Sequence, residues 1–82
     1  MMKTIYVVQL FELRRKRLVP TTKVEARDEN NARMRAERQI GSKPGAVVLA
    51  ITLDTETGEV ETTKLVARYG ETPDDLDQML GG

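Results

Sequence analysis

The 82-residue chain contains no cysteine, histidine or tryptophan. Without cysteine there is no disulfide, no thiol nucleophile and no zinc–thiolate site, a composition in keeping with a reducing cytoplasm. Without histidine the chain lacks the side chain most used for general acid–base work and the commonest metal ligand. The lone serine, Ser42, therefore has no imidazole to activate it. Only three aromatics are present, Tyr6, Phe11 and Tyr69, too few for a platform on which nucleobases could stack. No apolar run approaches the roughly 20 residues of a membrane helix, and Met1 leads into a strand-like pattern with no signal-peptide cleavage site. Together these absences lead us to expect a cytoplasmic protein that is not an enzyme and uses no cofactor, metal or membrane.

What the chain does have is charge sorted by position. Residues 1–43 hold eleven Lys/Arg against five Asp/Glu, whereas residues 44–82 hold two against eight. The zero net charge is a cancellation of two opposite halves, +6 and −6. Such patterning bears on association rather than on fold. Either the two halves meet each other, or each is offered to a partner.

The hydrophobic pattern predicts the order ββαββ. From Lys3 to Leu13, β-branched and aromatic residues dominate and both alternating sets are apolar, with Ile5, Val7, Phe11 and Leu13 on one face and Tyr6, Val8 and Leu10 on the other. Ala46 to Leu53 repeats this two-faced pattern, so these two strands should be central. Arg14-Arg15-Lys16-Arg17 reads as an exposed hairpin tip. Leu18 to Ala26 returns from it, and Pro20 directs this strand to a sheet edge, where its missing N–H does no harm. Asp28 is a good N-cap for a helix that runs to about Ile40 and stops at Gly41. Ala32, Ala36 and Ile40 make its buried stripe, and the opposite arc carries Asn31, Met34, Arg35 and Arg38. Asp54 to Gly58 reads as a hairpin loop with Gly58 left-handed, and Glu59 to Tyr69 as a more polar fourth strand.

The expected fold is an α/β (α+β) two-layer sandwich: a four-stranded antiparallel sheet ordered 2-1-3-4 under one main helix. Residues 1–70 form this domain. Residues 71–82 form an acidic tail, with Thr72-Pro73-Asp74-Asp75 placed to start a short C-terminal helix over Leu76, Met79 and Leu80.

One helix covers one sheet face, yet both central strands offer Val and Leu to the other. That second face needs a cover, and extended apolar patches usually mark interfaces. A two-fold homodimer through the sheet is the first expectation, the C-terminal helix folding beneath it the second, and a foreign protein the third.

The residues expected to bind a partner are Arg14, Arg15, Lys16 and Arg17 at the tip with Met34, Arg35 and Arg38 on the helix. Arginine forks pair with carboxylates and phosphates, and a thioether adapts to irregular apolar contacts. Hence the expected function is that of a non-catalytic protein–protein interaction module, an adaptor or stoichiometric inhibitor. The alternative is a nucleic-acid-binding accessory protein that uses the same basic tip and helix face, against which the eight downstream acids would repel phosphate. Asp54, Glu56 and Glu59 bunch together but lack the spacing of a calcium loop, and read as a solvated turn.

The layout of Phe11 to Leu18, Pro20, Val24-Glu25-Ala26, an alanine-containing helix, Gly45-Ala46-Val47-Val48 and Gly70-Glu71-Thr72-Pro73-Asp74-Asp75 resembles small uncharacterised ββαββ proteins of bacteria and their phages or mobile elements. That resemblance implies a bacterial or phage origin and assigns no functional residue.

Overall fold

β1 (Met2–Arg14) and β3 (Gly45–Asp54) lie side by side at the centre of the sheet. The structure, a computed structural model, describes residues 1–74 and Leu76. Around the central pair stand β2 (Arg17–Ala26) and β4 (Val60–Gly70) as edges, giving the antiparallel order β2-β1-β3-β4, and α1 (Glu29–Gln39) crosses one face. This is the two-layer α/β sandwich the pattern predicts. The expected short C-terminal helix falls, apart from Leu76, outside the described residues.

The two-faced apolar pattern explains the centre. Val7 to Phe11 and Gly45 to Leu49 are buried without a break, which alternation between core and solvent would not allow. Val8, Leu10, Ala46 and Val48 turn toward α1 and meet Ala32 and Ala36, both fully buried. These two alanines let the helix lie close on the sheet. The odd-numbered set, Phe11, Val47 and Leu49, turns to the other face and packs with Leu76, with Leu18, Ile51 and Leu65 half-buried around them.

Asp28 caps the helix as expected, its Oδ1 accepting from the Asn31 N–H at 2.8 Å. At the other end the Gln39 carbonyl accepts from the N–H groups of Ser42 and Lys43. Gly41 supplies no left-handed turn there, since it is not among the glycines with positive φ.

Both edges are irregular. On β2, two residues, Thr21 and Thr22, stand between partners of Gln9 and Phe11 where β1 has one, which makes a bulge next to Pro20. Gln9 is the buried polar side chain that resolves it: its amide donates to the carbonyls of Leu10 and Thr22, and Thr21 Oγ1 donates to Leu10 as well. On β4, Val66 and Glu61 are the extra residues at two further bulges. Bulges and an edge proline deny a neighbouring chain a regular ladder to extend.

Candidate functional site

α1 packs mainly over β1 and β3 and less over either edge strand, β2 or β4, and helix and sheet part on the β2 side. A cleft opens there, with Val8, Leu10 and Val24 as an apolar floor and Asn31, Met34, Arg35, Arg38 and Gln39 along the helix as its wall. At about 330 Å³ it lies at the lower end of the roughly 300–1,000 Å³ typical of ligand pockets. That is room for one or two side chains of a partner.

The three helix residues singled out in the sequence thus meet on one structure, and the floor beneath them is what the sequence reading missed. Met34 is half-exposed at the rim. Arg35 Nε donates to Asn31 Oδ1 at 3.0 Å, and the same oxygen accepts from the Arg27 N–H at 3.2 Å. Asn31 therefore orients Arg35 and ties it to the short β2–α1 connection. Among the described residues neither Arg35 nor Arg38 has a carboxylate within ion-pair distance. Two guanidinium groups that no described carboxylate pairs, set beside an apolar floor, suit an anionic group carried on an apolar body. The groove continues past Asn31 and Arg35 to Glu25, Ala26 and Arg27.

Arg33 belongs elsewhere. Its Nε lies 3.2 Å from Glu29 Oε2 one turn back, and Glu29, with Tyr69 next, raises its pKa above the ordinary arginine value. This pair neutralises the helix flank away from the cleft.

The hairpin tip does not join the cleft either. Arg15 and Lys16 form a two-residue turn with φ of 50° and 67°, while Arg14 pairs across it with Arg17. Side chains at the tip stand near acids of their own chain. Arg14 lies 3.5 Å from Glu12, and Lys16 shares a shallow cleft with Leu13, Leu18, Glu71 and Asp74. Lys43 also donates to Glu12, pinning the loop after α1 to β1. Lys43, acting first through that hydrogen bond and then through its charge, holds the Glu12 carboxyl below its ordinary pKa, with Arg14 adding to it.

At the far end of the sheet the acidic hairpin is a capped turn. Asp54 Oδ1 accepts from the Glu56 N–H at 2.8 Å and lies 3.7 Å from the Met1 ammonium, and Gly58 takes the expected left-handed conformation at φ 77°. Basic tip and acidic hairpin therefore stand at opposite ends of a molecule 41 Å long. Among the described residues no helix is long and apolar enough to cross a membrane. No protein-family model, no curated protein and no solved structure matches the chain.

Proposed function

We propose that the protein is a non-catalytic interaction module of a bacterial or phage-infected cytoplasm, which captures an acidic segment of a partner protein in the cleft between α1 and β2. The observation that carries this reading is the convergence of Met34, Arg35 and Arg38 on the apolar floor of Val8, Leu10 and Val24. A Leu or Met of the partner enters the cleft, and a flanking Asp or Glu meets the two guanidinium groups. The tip residues Arg14, Arg15, Lys16 and Arg17 lie outside the contact. They add long-range attraction for the same acidic partner, an effect on association rate more than on affinity.

The test is titration of the full chain with an eight-residue peptide of alternating Glu and Leu, followed through the Met34 methyl resonance. Saturable shifts at Met34 and Val24 that vanish in Arg35→Glu/Arg38→Glu, with the melting curve of the variant unchanged, are the expected result. Shifts retained in the variant, or confined to residues outside the cleft, overturn it. The nucleic-acid reading separates on salt: affinity for a DNA duplex that falls steeply with ionic strength and depends on Arg15 and Arg17 would replace the protein partner with phosphate.

A further inference from the structure

We infer that Asn31 sets the charge preference of the cleft between α1 and β2: its amide holds Arg35 in place without neutralising it, and so reserves that guanidinium for an anionic group of the ligand. The inference rests on the cleft being the binding site. Two contacts on α1 have the same spacing and end on the same arginine nitrogen. Arg33 Nε lies 3.2 Å from Glu29 Oε2 and Arg35 Nε lies 3.0 Å from Asn31 Oδ1, each reaching one turn back. In the first pair the acceptor is a carboxylate, which cancels the arginine's charge. In the second it is an amide oxygen, which aligns the guanidinium and leaves its charge whole. Glu25 lines the continuation of the groove with Asn31 and Arg35, yet among the described residues no carboxylate stands within ion-pair distance of Arg35.

Alignment matters because an unheld arginine on a helix surface loses rotamer freedom when a ligand fixes it. Asn31 meets that loss on folding. Its Oδ1 also accepts from the Arg27 N–H at 3.2 Å, so the amide that holds Arg35 is itself anchored to the β2–α1 connection. With Nε committed to Asn31, the two Nη groups of Arg35 remain as the edge that a carboxylate meets with two parallel hydrogen bonds. Both donors on Oδ1 fix which way the amide is turned. They leave Asn31 Nδ2 without a hydrogen bond among the described residues, a further donor on a residue that lines the cleft. Substitution at this position separates holding from charge. An aspartate keeps an acceptor for both N–H groups and cancels Arg35, whereas an alanine releases Arg35 and cancels nothing. Asp28 caps the backbone N–H of residue 31, a contact that either variant retains.

The experiment titrates the full chain, Asn31→Ala and Asn31→Asp with the eight-residue peptide of alternating Glu and Leu, and with its counterpart carrying Gln for Glu. Affinity for the Glu peptide should fall in the order parent, Asn31→Ala, Asn31→Asp, the last weaker than the parent by about tenfold or more. Asn31→Asp should also lose the parent's preference for Glu over Gln, and its binding should depend less on salt. Its melting temperature should equal or exceed the parent's, because an acid in the first turn of a helix is favourable. Loss of binding with stability kept is what a merely structural role would not produce. Asn31→Asp binding the Glu peptide as tightly as the parent, or more tightly than Asn31→Ala, would overturn the inference and leave the cleft standing as the binding site. Equal affinity of the parent for the Glu and Gln peptides would likewise overturn it. A parent that binds neither peptide would end both the reading of the cleft and this inference.

Discussion

Gly45 and Gly70 face each other across β3 and β4, and the chain leaves the sheet over the top of this pair. Gly70 has φ 67°, the left-handed region that side chains resist, and the turn it allows brings the Glu71 N–H to the Pro44 carbonyl at 2.9 Å. Glu71 then passes so close to Gly45 that a methyl group there would overlap the Glu71 backbone. Two glycines thus let the segment after β4 cross the end of β3 and deliver Leu76 to the far face.

Gly45→Ala should therefore cost about 1–3 kcal/mol, the usual penalty for forcing atoms into filled space, and Gly70→Ala at least about 1–2 kcal/mol for the left-handed backbone, with a further cost because its methyl group would collide with the Pro44 carbonyl oxygen. Urea unfolding checks both. A Gly45→Ala variant as stable as the parent would mean that Glu71 does not cross there.

Leu76→Ala should lower stability by about 2–5 kcal/mol, since the side chain is fully buried among Phe11, Val47 and Leu49. Combined with Gly45→Ala the loss should be less than additive, because the first substitution already displaces the segment that carries Leu76. A double-mutant cycle in urea reads the coupling directly. Strict additivity would separate the crossing from the anchor.

The tip of the first hairpin is built from residues ill suited to it. Its two central positions are left-handed, as in the turns that favour Asn-Gly, yet they hold Arg15 and Lys16. Arg15→Asn/Lys16→Gly should raise stability by about 1 kcal/mol, visible as a rise of about 4–8 °C in Tm. The same variant should slow association of the acidic peptide and leave its dissociation rate unchanged, because the tip lies outside the cleft. Stopped-flow binding separates the two rates.

Acid stability should report the Glu12–Lys43 contact. The folded-state pKa of Glu12 is lowered from its ordinary 4.5, so its contribution is fully present above that value and fades as pH falls through the lower folded value. Glu12→Gln should therefore destabilise slightly at pH 6 and converge with the parent in acid, and Lys43→Met should remove the same increment. Both carboxyl and ammonium are partly solvated, so the effect is small. Parallel stability curves for parent and Glu12→Gln down to pH 2.5 would show the contact to be idle.

Much of the fold is legible in the residues themselves. Two-faced apolar runs mark β1 and β3 as central, Pro20 marks an edge, Asp28 and Gly58 mark a cap and a turn, and Ala32 with Ala36 marks the face of α1 laid on the sheet. Each is local, set by side-chain alternation or by what one residue permits its own backbone. Met34, Arg35 and Arg38 were likewise visible, as one arc of a helical wheel. Their setting was not. That they overlook Val8, Leu10 and Val24 depends on how far α1 sits from β2, a distance no periodicity contains. Gln9 shows the same limit: a lone amide in an apolar strand becomes intelligible only where a bulge in β2 leaves the Leu10 and Thr22 carbonyls for it to satisfy. Bulges, the crossing over Gly45 and the burial of Leu76 arise from pairs of segments distant along the chain, and the energy that selects them exists only once those segments touch. The sequence alone determined which stretches become strands and helix and which of their faces are apolar. Tertiary structure decided what each apolar face meets, because contact between distant residues, unlike alternation along a strand, leaves no period to read.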